Sequence, residues 1–231
     1  YGHLVTVHDA EHRNSGGQFS ELDEAADFVS DQVHLQDVDG YNREAIRRLR
    51  TLPKPYMNIE YGYELGVESF KTHPRRSTTW DNVLKWTWAI YLAGAYPCYY
   101  YDNVSWDLIK FEPEPPSWAR YRDMKAFIDA LPFNRMKGDN EFVERGLCLA
   151  EPGRVYLVYL PEGGDTSLDL SAVDDGTRLT VEWMDIFTGI RKQTGLEKES
   201  DWSGFNTALE NPFDDPSQPC VLAVRAQGTS D

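Results

Sequence analysis

Apolar and polar positions change their rhythm a little past the middle of the chain. Up to about residue 138, short apolar runs alternate with stretches of helical period. Leu4–His8 and Asp27–His34 read as strands, and Asn42–Arg50 as a helix with Ala45, Ile46 and Leu49 on one face and Asn42 at the N-cap. Pro53 and Pro55 stop that helix and introduce a third strand, Tyr56–Glu60, in which Met57 and Ile59 are predicted core positions, as is Val5 in the first strand. Ser77-Thr78-Thr79 opens a second helix. Its apolar face holds Trp80, Val83, Leu84, Trp88, Tyr91 and Leu92, and Gly94 ends it. Tyr96–Tyr101 is a fourth strand. Trp118–Leu131 is a last helix, with Tyr121, Met124, Phe127, Ile128 and Leu131 along one side. The segment between the first two strands is irregular, although Phe19–Phe28 has some helical character.

Beyond Lys137-Gly138-Asp139 the helical period disappears. Leu147–Ala150, Val155–Leu160, Ser167–Leu170, Leu179–Met184 and Cys220–Val224 are short strand candidates. Turn signals such as Glu151-Pro152-Gly153, Pro161-Glu162-Gly163-Gly164 and Asp174-Asp175-Gly176 separate them. Strands at this spacing predict an antiparallel β-sandwich. Trp183, Trp202 and Phe205 are candidates for an aromatic ligand face, but Trp183 shares a face with Leu179 and Val181 and is expected in the core, whereas Trp202, in a polar loop, is more open.

Alternating strands and helices predict parallel strands with right-handed crossovers. Parallel sheets are covered on both faces, and a complete eight-stranded barrel takes about 200 to 250 residues. The chain therefore reads as α/β plus all-β. Residues 1–138 form the C-terminal half of a (β/α)8 TIM barrel, strands five to eight, and residues 139–231 form the antiparallel β-sandwich. A complete doubly wound domain is the rival, weakened because no G-x-G-x-x-G turn follows any strand. Opening on Tyr1 inside a strand, without a signal peptide, the chain reads as a piece whose partner is the missing N-terminal half of the barrel.

Composition narrows the chemistry. In 231 residues, 38 Asp and Glu outweigh 23 Lys and Arg for a net charge of −15, which disfavours nucleic acid and anionic membrane surfaces as partners. No apolar run approaches the ~18 residues of a membrane span. Cys98, Cys148 and Cys220 form no C-x-x-C and are expected as buried thiols, with a Cys148–Cys220 bridge as the alternative in an oxidising compartment. Neither a cofactor nor a metal is expected.

In a barrel, function gathers at the C-terminal ends of strands. Those ends carry His8, then Gln32 and His34, then Asn58 and Glu60, then Tyr101, Asp102 and Trp106. A ring of aromatics, imidazoles and carboxylates suits a sugar, so His8, His34, Asn58, Tyr101 and Trp106 are candidate substrate-binding residues for a carbohydrate. Metal binding by His8 and His34 is less favoured, since no third histidine accompanies them. Glu60 ends an apolar strand and is the candidate nucleophile of a retaining glycosidase, whose second carboxyl stands about 5–5.5 Å away. The bland alternative is a surface glutamate paired with Arg75 or Arg76. Glu64 is given a supporting role.

The segments His3–His8, Lys54–Glu64 and Gly94–Tyr100 resemble the last strands of the apiosidase-like glycoside hydrolases, a (β/α)8 group of the large retaining clan. Leu147–Gly153, Tyr156–Gly164, Val181–Asp185 and Thr188-Gly189 are similar to their C-terminal module, which takes its name from collagen binding by a collagenase. The resemblance implies a polysaccharide-degrading enzyme working in the extracellular or periplasmic space. It also implies that Glu60 is the strand-seven nucleophile and that the acid/base, at the end of strand four, lies outside this chain, leaving the isolated piece inactive. Collagen is not a physical expectation, because the chain is acidic. The alternative of another class is a non-catalytic carbohydrate- or matrix-binding module. Glu60 in a cleft with His8, His34 and Trp106 would favour the enzyme; Glu60 on a flat face under Arg75 would favour the module.

Overall fold

The computed structural model describes residues 2–6, 8–10, 25–34, 37–51, 54–66, 77–104, 112–197 and 207–227. They fall into two compact units, 1–119 and 120–231, so the break lies earlier than the loss of helical period near 138. No helix among the described residues is long and apolar enough to cross a membrane.

In chain order, the described elements of the first unit are β1 (His8–Ala10), β2 (Val29–Gln32), α1 (Val38–Thr51), β3 (Tyr56–Asn58), β4 (Tyr63–Glu64), β5 (Ser77–Thr78), α2 (Trp80–Leu92), β6 (Tyr96–Pro97) and β7 (Tyr100–Tyr101). Four strands make a parallel sheet in the order β1-β2-β3-β6, with Ser30 opposite both His8 and Met57 and with Asn58 opposite Pro97. A smaller parallel sheet follows the order β5-β4-β7. The side of β2 and β3 that carries Val29 and Tyr56 packs on Tyr41, Ala45 and Ile46 of α1 and on Val83 and Ile90 of α2. Gly94, at a φ of 83°, closes α2 in the left-handed region that a side chain resists.

Four expectations for this unit need correction. The first strand begins at His8 rather than Leu4, and Leu4 and Val5 are 78% and 57% exposed. The backbone of Val5 is tied to Asp27, its N–H to the carboxylate at 2.7 Å and its carbonyl to the Asp27 N–H at 2.8 Å, which leaves the Val5 side chain in water. Met57 and Ile59 are only half-buried. The fourth strand is two short ones, because the Cys98 N–H bonds the Asn58 carbonyl at 3.0 Å and the chain then changes partner from β3 to β4. The stretch around Phe19 lies outside the described residues.

The fourth correction is at the start of α1. Asn42 is not its cap but a buried helical residue whose Nδ2 donates to the Ala89 carbonyl at 2.9 Å, pinning α1 to α2. Asp37 caps the helix instead, its carboxylate accepting from the Gly40 N–H at 2.9 Å. Asp37→Ala is expected to lower stability by about 1 kcal/mol, read as a shift in the urea midpoint. An unmoved midpoint would show that water serves Gly40 as well as the carboxylate does.

The described elements that follow are α3 (Trp118–Ile128), which crosses the break, then β8 (Lys137–Gly138), β9 (Leu147–Glu151), β10 (Val155–Leu160), β11 (Thr166–Leu168), β12 (Arg178–Asp185), β13 (Arg191–Glu197), β14 (Thr207–Leu209) and β15 (Cys220–Ala226). Six of the strands form an antiparallel sheet in the order β13-β12-β15-β10-β9-β8, and β11 and β14 pair as a separate ribbon. Leu168 and Leu209 from the ribbon pack on Val158, Val181, Trp183 and Leu222 from one face of the large sheet. Trp183 is thus a core residue, as its alternation predicts. The second half of α3 meets β13, where the Arg191 guanidinium lies 5.2 Å from the Phe127 ring and bonds the Asp123 carbonyl at 3.2 Å.

The alternative disulfide does not form: Cys148 and Cys220 are both free. Cys148 sits opposite Val158 and Cys220 opposite Leu160, on the two strands that flank β10. Two steps of about 4.8 Å separate such strands, beyond the ~7 Å limit for bridged Cα atoms. Burial, with the charge of Asp185 nearby, pushes the Cys220 thiol up to about 12. Burial raises the Cys148 thiol as well.

Candidate active site

The parallel strands β2 and β3 end side by side. Their last backbone rung runs from the Ile59 N–H to the Asp31 carbonyl at 2.8 Å. One side chain carries the pairing further. Asn58 is fully buried, its Oδ1 accepts from the Val33 N–H and the Glu60 N–H, each at 3.3 Å, and its Nδ2 donates to the Val33 carbonyl at 2.9 Å. The stretches carrying His34 and Glu60 are thereby held together. His34 Nε2 stands 3.7 Å from Glu60 Oε1, and each side chain is 13% exposed. Gln32 Nε2 lies 3.5 Å from the same imidazole nitrogen.

This places an accessible carboxylate and an imidazole at the C-terminal ends of adjacent parallel strands. Tyr100 joins them from β7. Burial raises its hydroxyl pKa, and the charges of Cys98 and Glu60 add to the effect. Its ring lies 5.2 Å from that of Tyr63.

Glu64 has a different setting. It is fully buried, one oxygen accepts from the Tyr99 hydroxyl at 2.8 Å and from the Ser117 hydroxyl, and the other accepts from the Ser117 N–H at 3.2 Å. A carboxylate committed to so many donors is a poor nucleophile and a good anchor for the segment leading into α3.

Of the residues expected to bind substrate, His34 is brought to Glu60. Asn58 faces backbone rather than an open cleft. Tyr101 is buried, its hydroxyl donating to the Pro113 carbonyl at 3.2 Å and accepting from Asn103 Nδ2 at 3.1 Å. His8 lies in β1 opposite Ser30, while its side chain, Trp106, Arg75, Arg76, Trp202 and Phe205 lie outside the described residues. Among the described residues no group of three or more His, Cys, Asp or Glu is arranged to hold a metal.

Sequence reasoning missed a buried ion pair beneath the site. Asp31, fully buried on the helix side of β2, is bonded by the Arg48 guanidinium and by the Tyr56 hydroxyl at 2.6 Å. Arg48 also reaches Glu44, N to O, at 3.0 Å. An acidic residue in the middle of the strand candidate Asp27–His34 was the available signal, since charges enter sheets at such positions only with a partner.

No family model matches the chain, and no curated protein does. Solved structures match over almost all of it. A glycoside hydrolase aligns with 99% of this chain and 58% of its own length, at a TM-score of 0.71 and 15% identity. A glycoside hydrolase family 5 protein from Bacteroides vulgatus ATCC 8482 aligns with 97% of this chain and 56% of its own, at 0.66 and 18%. The chain has a fold found in glycoside hydrolases and spans a little over half the length of these relatives.

Proposed function

We propose that this chain is the C-terminal part of a retaining glycoside hydrolase of the apiosidase-like group. The first unit contributes strands five to eight of a (β/α)8 barrel, and the second contributes a β-sandwich module. Glu60 is the nucleophile. The observation that carries this reading is the reachable Glu60 carboxylate beside His34, held at the C-terminal ends of neighbouring parallel strands. The fold likeness to glycoside hydrolases over nearly the whole chain supports it.

The chemistry needs two carboxyl groups. Glu60 attacks the anomeric carbon while a second carboxyl, supplied by the half of the barrel outside this chain, protonates the departing glycosidic oxygen. Water then attacks the glycosyl ester, the second carboxylate takes its proton, and Glu60 is released as the carboxylate. His34 holds the nucleophile's charge and orientation and, with His8 and Trp106, meets the hydroxyls and ring face of a complex, plant-type polysaccharide. Turnover belongs to the protein with the whole barrel, acting outside the cytoplasm.

The test is to trap the intermediate. A 2-fluoro glycoside with a good leaving group destabilises the second transition state, so the glycosyl-enzyme accumulates. Digestion of the labelled whole-barrel protein is expected to place the label on the peptide containing Glu60. A label on Glu64 would overturn the assignment.

A further inference from the structure

We infer that Asn58 is a positioning residue for catalysis, setting the separation of Glu60 and His34 through a side-chain clamp on the backbone. This deepens the proposed function and rests on Glu60 being the nucleophile. Its basis is the carboxamide geometry. Asn58 Oδ1 takes the Val33 and Glu60 N–H groups and Nδ2 takes the Val33 carbonyl, so one buried side chain meets both polar groups of Val33 and the amide of the nucleophile itself. Among the described backbone bonds between these strands, the ladder stops at Ile59 and Asp31. Beyond that rung the carboxamide acts as an extra peptide group inserted between β2 and β3. Val33 precedes His34, and Glu60 lies two residues beyond Asn58, so loosening the clamp releases both partners of the 3.7 Å contact.

The surroundings suit a neutral amide. Tyr41, Tyr56 and Asp31 cluster around Asn58 and its neighbour strand on the helix side, and Asn58 tempers the rise that burial imposes on the Tyr41 hydroxyl. On the Glu60 side the titratable neighbours among the described residues include His34, Cys98 and Tyr100. A second carboxylate at 58 would keep the acceptor bonds, lose the donor to the Val33 carbonyl, and add negative charge beside Glu60.

The experiment compares wild type, Asn58→Ala and Asn58→Asp by backbone amide exchange and by kinetics. In Asn58→Ala the Val33 and Glu60 amides are expected to lose protection while those of β10 keep theirs. In the whole-barrel protein, kcat per titrated active site is expected to fall roughly 100-fold with KM nearly unchanged, as a misplaced nucleophile requires. In Asn58→Asp the acidic limb of the kcat/KM profile is expected to move to higher pH, because the new carboxylate disfavours ionisation of Glu60. If Asn58→Ala does not fold, the Asp variant alone decides. A kcat within about tenfold of wild type in a folded Asn58→Ala protein, or an unmoved acidic limb in Asn58→Asp, overturns the inference. Unchanged exchange at Val33 and Glu60 overturns the clamp. If wild type turns over no glycoside, the functional reading fails, and the exchange data still report on the clamp.

Discussion

Glu60→Gln, made in the protein carrying the whole barrel, is expected to abolish nearly all glycosidase turnover while the fold stays intact. The swap is nearly isosteric. The side chain packs 3.7 Å from His34 without bearing on the hydrophobic core, so its cost to stability is small. Its cost to chemistry is large. A neutral amide does not attack an anomeric carbon as a carboxylate does, and losing covalent catalysis removes several powers of ten in kcat, at about 1.4 kcal/mol for each tenfold. Kinetics on a glycan and circular dichroism of the variant check the two halves of this expectation. Glu60→Ala adds a sharper test: azide can enter the vacated space, and rescue should yield a glycosyl azide of inverted anomeric configuration. If Glu60→Gln keeps more than about a tenth of wild-type kcat, a loss under ~1.4 kcal/mol, Glu60 is not the nucleophile.

Arg48→Met is expected to be the most damaging change to the first unit that touches no candidate catalytic group. It takes the guanidinium away from the Asp31 carboxylate, which is fully buried and which the Tyr56 hydroxyl also bonds. Removing one partner of a buried pair costs about 3–5 kcal/mol, because the other charge stays in a low-dielectric site. Chemical denaturation of wild type and variant measures this directly. Pairing Arg48→Met with Asp31→Leu should recover much of the loss, since an apolar pair of similar volume needs no desolvation to be repaid. A loss below about 1 kcal/mol for Arg48→Met would class the pair with exposed ion pairs. The consequence reaches the site, because the Asp31 carbonyl carries the last backbone rung to Ile59, next to Glu60.

The fold was most legible where apolar residues recur at a fixed period. Helix α2 and strands β10 and β12 carry such patterns and were found within a residue or two of their bounds. Strand β13 was missed because Arg191-Lys192-Gln193-Thr194-Gly195-Leu196-Glu197 has a single large apolar side chain. It lies at an edge of the sheet, where charge protects against further pairing. The two-residue strands β4, β5 and β7 are too short to show a period at all. At the site, the place of Glu60 and His34 at strand ends could be read, since alternation fixes where a strand stops. The direction of Asn58 and Tyr101 could not. Both are polar residues at strand ends, and only the three-dimensional partners show that their polar atoms are satisfied by the protein itself.

One feature of the large antiparallel sheet bears on how the chain is made. Its central position between β12 and β10 is filled by β15, the latest in sequence of its strands. Without residues 220–226, β8, β9 and β10 remain one paired series and β12 and β13 another, with no strand to join them. The large sheet is therefore closed only when β15 inserts, a closure across long sequence separation that is slow and leaves two sticky edges in the meantime. Early termination ahead of Cys220 splits the sheet down the middle rather than trimming its rim, so nascent chains stalled there should be recognised by chaperones and proteases rather than persist as shortened but folded proteins.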